Sequence, residues 1–473
     1  MISKKLTPLL LLPLLAACGG SKKNTEQEHA LMYPQTHKVD TTDTYFNQKI
    51  SDPYRWLEDD HSEETAEWVK AQNNVTFDYL SKIPFRNKIK ERLTKIWNFE
   101  KRGVPFKKGK NYFFYKNDGI QNQSVLYVQE GLTGTPRTLL DPNTLAADGT
   151  ASLGDLTISK SGKYVAYTIN RAGSDWSEIY VMEIETGKQL TDEIKWVKFS
   201  NIAWKGEGFY YSAYDAPKQG SSKFSNKNEF HKVFYHILGD SQDKDKLVYE
   251  DKHFPLRNYT AATTEDEQLL LIYINESTSG TALSVKDLGK KDAPFVSLVD
   301  NFENNYSVIE NEGNSLYVLT DKGAPKYQLV KLDYTKKTAY ESWEKIIPET
   351  TDLLENVSLC KDKFIADYLK DVTTRLYIYD RKGKQEREIK LPGLCKVNGL
   401  TSYKNDALVF FSYSTFTAPS IIYKYDILTD KLDTWFKPTI DFKSDDYETR
   451  QVFYTSKDGT KVPMFITCKK GIK

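Results

Sequence analysis

The sequence predicts a mainly β protein, a seven-bladed β-propeller with a segment at either flank. Three observations predict it: a strand phrase that recurs seven times, a near-constant step between copies, and a hairpin ahead of the copies. The phrase first reads Leu126-Tyr127-Val128-Gln129-Glu130, then Ile179-Tyr180-Val181-Met182-Glu183 and Val233-Phe234-Tyr235-His236. Leu283 to Asp287, Leu329 to Asp333, Leu376 to Asp380 and Ile422 to Asp426 complete the set. The starts at 126, 179, 233, 283, 329, 376 and 422 lie 46 to 54 residues apart, a step a large irregular sandwich has no reason to keep.

Within each copy, aliphatic and aromatic residues crowd a strand buried on both faces of its sheet. All copies but the third place an acid four positions after the start, ahead of turns such as Thr186-Gly187 and Lys382-Gly383. Strand–turn–strand runs precede the copies, as in Leu156 to Tyr167 around Ser161-Gly162, and looser outer strands such as Arg137 to Leu140 follow. Four antiparallel strands per unit, set radially about a channel, satisfy this pattern. One blade cannot cover its own two apolar faces, so the units fold as a stack.

The 473-residue chain exceeds one ordinary core. Its 66 basic and 65 acidic residues leave no single-sign field, so nucleic acid is not expected as a partner. Residues 1–18 read as a signal peptide: Lys4-Lys5, the apolar run Leu6 to Leu15, then Leu15-Ala16-Ala17-Cys18-Gly19, a bacterial lipoprotein box in which Cys18 is lipidated. An ordinary secretory signal with a chance cysteine is the alternative. Residues 19–32 follow as a polar tether, which puts the protein in the bacterial cell envelope, lipid-anchored on the periplasmic side or cell surface. Of the remaining cysteines, Cys360 and Cys395 could bridge adjacent blades, but burial as small hydrophobes is the expected role for these two and for Cys468.

The flanks depart from the blade pattern. Asp52 to Asp60 is an aromatic-rich turn leading to Ser62, a helix cap followed by Glu63 and Glu64. Trp68, Ala71, Val75 and Tyr79 form the stripe of one helix, Pro84 ends it, and Ile89, Leu93 and Trp97 mark a second. Beyond the last copy, Glu448 to Tyr454 and Val462 to Thr467 flank Asp458-Gly459, a hairpin signal.

These flanks, with Gly119 to Val128, Leu140-Asp141-Pro142-Asn143, Gly173-Ser174-Asp175-Trp176 and Val197-Lys198-Phe199-Ser200, resemble the prolyl oligopeptidase family, in the family's order from about Tyr33 onward. The resemblance implies an α/β-hydrolase domain built from both chain ends and a seven-bladed propeller between them. Residues 33–100 would then be the first part of the hydrolase domain, 101–438 the propeller, and 439–473 the start of its truncated second part. It also implies a monomeric serine peptidase that cuts short peptides after proline, with the ring filtering substrates by size. Phe199 would line the substrate cavity, although a blade-core role suits the same aromatic. Where the family carries a cavity-lining cysteine, this chain reads Ile274-Asn275-Glu276-Ser277-Thr278. Proline and basic-residue preference both stay open.

The family's triad needs a Gly-x-Ser-x-Gly elbow followed by Asp and His. No such elbow occurs, and His29, His37, His61, His231, His236 and His253 all precede the sheet that would hold it. No catalytic residue is therefore assigned in this chain, which is expected to be inactive alone. Trp68, Val75, Leu93, Trp97 and Phe465 are expected to form an exposed apolar patch. No cofactor and no metal is expected. His231 and His236 point to opposite sides of a strand, and Lys244 and Lys246 spoil the calcium-loop likeness of Asp240, Asp243 and Asp245. A second functional reading is a non-catalytic propeller lipoprotein that binds a partner through its ring face.

Overall fold

A computed structural model describes residues 31–216 and 227–472. Residues 1–30, which hold the lipoprotein box, Cys18, His29 and most of the tether, lie outside the described residues. Two compact units divide the chain, Met1–Asn87 and Lys88–Lys473.

In the first unit, a hairpin pairs Thr42–Tyr45 with Gln48–Ser51, its turn carrying positive φ at Phe46 and Asn47. Thr-Asp-Thr-Tyr and Gln-Lys-Ile-Ser carry little apolar alternation, so periodicity does not mark these two strands. Asp43 and Asp52 both bind the Arg55 guanidinium, tying hairpin to the short 3₁₀ turn Arg55–Glu58. Helix α1 spans Glu63–Ser81 and begins at Ser62, as the capping signals predict, although the Ser62 side chain makes no cap hydrogen bond. Helix α2 spans Arg86–Trp97 across the junction of the two units. Neither helix buries a residue, and Leu93 and Trp97 are among their exposed apolar side chains. Trp68, Val75 and Phe465 are half-buried.

The second unit is a β-propeller, and each of the seven recurring phrases forms a strand in it. Leu126, Ile179, Val233, Leu283, Leu329, Leu376 and Ile422, the first residues of the phrases, are each no more than 1 % exposed. A fully buried side chain of this size contributes about 1.5–3 kcal/mol. The strands make four separate four-stranded sheets and one five-stranded sheet, while residues 151–249 form a single eight-stranded sheet. The expectation of seven separate four-stranded blades is corrected at that point. Strand Gln189–Val197 continues through one pairing, Val197 with Ala213, into the sheet that follows, so the boundary between the two strand groups is hydrogen-bonded.

Six apolar clusters fill the spaces between successive strand groups; Leu283, Val285 and Leu298 of one sheet, for example, meet Leu316, Val318 and Val330 of the next. The last sheet then meets the first. Tyr112 packs edge-on to Phe410 at 5.8 Å and Phe114 to Trp435 at 5.4 Å. The Tyr403 hydroxyl accepts from the Lys107 amide at 2.9 Å, and the Lys107 ammonium pairs with Asp406 at 2.5 Å. Cys360 and Cys395 are buried and unbridged, in line with the apolar role expected of them.

The acid that closes most copies binds the turn it precedes. Asp287 accepts from the Gly289 amide, Asp333 from Thr335, Asp380 from Lys382 and Lys384, and Asp426 from Leu428, each at 2.9 Å. The third copy has Ile237 there, and its turn borrows a carboxylate: Asp192, on strand Gln189–Val197 of the preceding group, accepts from the Gly239 amide at 2.7 Å. Asp192 also bonds His236 Nε2 at 3.0 Å, while His236 Nδ1 meets Asp245 at 2.7 Å. Burial alone pushes this imidazole down, but the two carboxylates outweigh it and raise it to about 9.

The folded state thus holds the His236 proton more tightly than the unfolded chain does. The stabilisation is complete below the unfolded value of 6.5 and is lost as pH rises through about 9. Urea unfolding across pH 6–10 is expected to show this alkaline decline, and His236→Gln is expected to flatten it.

Candidate functional site

Antiparallel alternation gives the propeller two faces. Connections from the last strand of one sheet to the first strand of the next fall on one face, and the first hairpin turn of each sheet falls on the other. The chain crosses into the propeller at Lys101–Arg102 and out after Lys431–Phe436, both on the connection face. The hairpin of Tyr447–Thr455 and Lys461–Lys469 follows, close to the bounds the sequence predicts, and touches the same face through Phe465 on Phe416 and Gln451 on the Asp371 carbonyl.

Phe199 lies on this face, in the connection between strands Gln189–Val197 and Ala203–Lys205, and is 53 % exposed. The sequence left open a blade-core role; its exposure speaks against that role. Its backbone is left-handed, φ 50°, as is that of Trp196, φ 62°. For residues with a Cβ this conformation costs about 1–2 kcal/mol, so the surroundings must hold it. The Lys198 ammonium pairs with Asp175 at 2.7 Å and sits over the rings of Trp176 and Phe199 at 5.1 and 5.3 Å. The Ser212 amide donates to Ser200 Oγ at 2.7 Å, the Ile202 amide to Asp155 at 3.3 Å and the Tyr214 amide to the Trp196 carbonyl at 3.1 Å. Ile120, Phe254, Leu256, Val372 and Phe416, all exposed, stand in loops of the same face. A rigidly held aromatic among exposed apolar side chains is suited to contacting an apolar or prolyl group.

The opposite, turn-bearing face opens on a cavity of about 900 Å³ lined from all six sheets, with Lys107, Lys160, Asp266, Tyr273, Glu310 and Asp406 among its walls. Polar contacts brace it across sheets. Lys160 donates to the Asp266 carbonyl at 2.7 Å, Asn311 to the Asp266 carboxylate at 2.8 Å, and buried Glu310 is held by Arg381 at 2.5 Å and by Lys404. Walls of both signs and this volume fall in the range of a small-ligand site. Sequence reasoning missed these wall residues, because they come from six separated segments with no common spacing.

The histidines singled out in the sequence are placed apart. His236 is enclosed by Asp192 and Asp245, which takes Asp245 out of the suspected calcium loop, while Asp240 pairs with Lys244. His231 is bonded to the Lys198 carbonyl and the Tyr259 amide, His37 stacks on Trp56 beside Glu64, and His253 sits by Asp251. His61 lies 3.8 Å from Asp60.

Residues 34–438 match the family model of the prolyl oligopeptidase N-terminal β-propeller domain. The chain is 42% identical over 460 residues to a prolyl endopeptidase of Elizabethkingia meningoseptica, covering 97% of this chain and 64% of that protein. It is 32% identical over 485 residues to prolyl oligopeptidase A of Amanita bisporigera, covering 93% and 63%. Among solved structures, one of two prolyl endopeptidases studied for inter-domain dynamics in catalysis and specificity aligns with a TM-score of 0.84 and 32% identity, covering 93% of this chain and 65% of that one. Prolyl oligopeptidase B of Galerina marginata, bound to a 25mer macrocyclization substrate, aligns at 0.83 and 30% identity, with 93% and 66% covered. The chain thus spans just under two thirds of the length of these relatives.

Because the Phe199 ring is exposed and its backbone strained, Phe199→Gly is expected to raise stability by up to about 1 kcal/mol, read from the urea midpoint. A loss of that size instead would mean that the ring packs for stability.

Proposed function

The chain belongs to the prolyl oligopeptidase family, and on that premise we propose that it is the substrate-gating part of a serine peptidase that hydrolyses short peptides after proline. The observation that carries this reading is the match over residues 34–438, at 42% identity to a protein described as a prolyl endopeptidase. The Galerina structure with a bound 25mer peptide supports a peptide as the ligand class.

On this reading the propeller comprises seven blades, the eight-stranded sheet being two blades joined at Val197 and Ala213. Residues 33–100 and 439–473 belong to an α/β-hydrolase domain. Both crossings of the chain lie on the connection face, and so do Phe199 and the other exposed apolar loops. Phe199 lines the substrate cavity. The braced cavity on the opposite face admits a short peptide and turns away a folded protein. Lipidation at Cys18 holds a monomer at the envelope membrane.

None of the five described imidazoles is hydrogen-bonded to a serine, the pairing that activates such a nucleophile. Chemistry is accordingly assigned to residues outside this chain. A fluorogenic Gly-Pro peptide is expected to be left intact by the purified 473-residue chain and cleaved once the chain is fused to the remaining third of the Elizabethkingia relative. Cleavage by the chain alone would contradict the assignment, and an inactive but folded fusion would contradict the function.

A further inference from the structure

His231 precedes strand Lys232–Ile237 and is 1 % exposed. Its ring touches three segments. The Tyr259 amide, on the first strand of the next sheet, donates to Nδ1 at 2.9 Å, and Nε2 lies 2.9 Å from the Lys198 carbonyl. The Tyr214 ring covers it at 4.5 Å.

These two bonds dictate the tautomer. Nδ1 must keep its lone pair to accept from Tyr259, so the ring hydrogen stands on Nε2 and is donated to Lys198. A second proton on Nδ1 would set N–H against N–H; burial pushes the ring in the same direction, down to about 4, although the Lys198 carbonyl opposes it. His231 is therefore neutral wherever the protein works near neutrality.

The Lys198 carbonyl belongs to the peptide plane that leads into Phe199. That plane is one of the two between which the left-handed φ of Phe199, 50°, is set, the other being held from the Ser200 side. The other hydrogen bonds to this connection act at Trp196, Ser200 and Ile202, on either side of that plane, while the Asp175 pair and the ring contacts of Lys198 act through its side chain and leave the carbonyl free to turn. We infer that His231 is a positioning residue that locks the Lys198–Phe199 peptide plane and so holds the Phe199 ring out on the connection face. Presentation of Phe199 is in this way tied to the neighbouring sheet through Tyr259. Only the ligand part of the inference rests on the reading of Phe199 as a substrate contact.

Two substitutions in the full chain separate the bonds. In His231→Asn the amide oxygen replaces Nδ1 and keeps the Tyr259 bond, but the side chain is too short to reach Lys198. In His231→Gln the amide nitrogen replaces Nε2 and keeps the donor to Lys198. Hydrogen exchange of the peptide covering Lys198 to Asn201 is expected to quicken roughly tenfold in His231→Asn and to stay near wild type in His231→Gln. Binding of a short Gly-Pro peptide, followed by tryptophan fluorescence, is expected to weaken in His231→Asn as much as in Phe199→Ala. Unchanged exchange in His231→Asn, or equal loss in both variants, would overturn the inference. Should exchange respond as expected while neither His231→Asn nor Phe199→Ala alters peptide binding, the positioning role stands and the substrate role of Phe199 falls.

Discussion

A four-stranded sheet with two apolar faces cannot be left in water on either side, and the propeller follows from that constraint. Leu126, Ile179, Val233, Leu283, Leu329, Leu376 and Ile422 lie in the third strand of their groups, where both faces are covered. Side chains of such a strand alternate between its faces, as Leu329 and Val330 do, so burying the whole strand needs a neighbour stacked on each side, and the two end sheets have just one neighbour in sequence. Tyr112 on Phe410 and Phe114 on Trp435 make up that deficit, with Lys107, Tyr403 and Asp406 adding polar contacts at the seam. No shared strand and no disulfide strengthens the seam among the described residues.

The fold was legible because this constraint writes itself into every unit at a fixed step. Where the pattern faltered, the physics changed too. The third phrase lacks its closing acid, and there the turn is held by Asp192 from the preceding strand group, beside His236. The same region fuses two strand groups into one sheet, which periodicity could not reveal because each strand keeps its own alternation. The hairpin at Thr42–Ser51 escaped notice for the opposite reason: polar residues on an exposed two-stranded ribbon leave no burial pattern to read.

The candidate site was legible only in part. Val-Lys-Phe-Ser drew attention by resemblance, yet nothing in that tetrapeptide announces that Phe199 is exposed with a left-handed backbone. The groups that hold it there, His231, Ser212, Asp155 and Asp175, lie up to 44 residues away in sequence and converge only when the sheets stack. The blade core thus does two jobs: it satisfies its own apolar faces, and it supplies fixed points from which a strained connection can be hung. The cavity on the opposite face obeys the same logic, since its walls exist only where all six sheets meet.

The stacking constraint is tested most directly by removing one end of the stack. A chain ended at Leu391, without the last sheet Lys396–Phe436, strips the cover from Cys360, Ile365 and Ile378 on one side and from Tyr112 and Phe114 on the other. Urea unfolding followed by tryptophan fluorescence and far-ultraviolet circular dichroism is the measurement. The expected result is loss of the cooperative transition throughout the shortened chain; a transition that keeps the full chain's midpoint would contradict mutual dependence of the sheets.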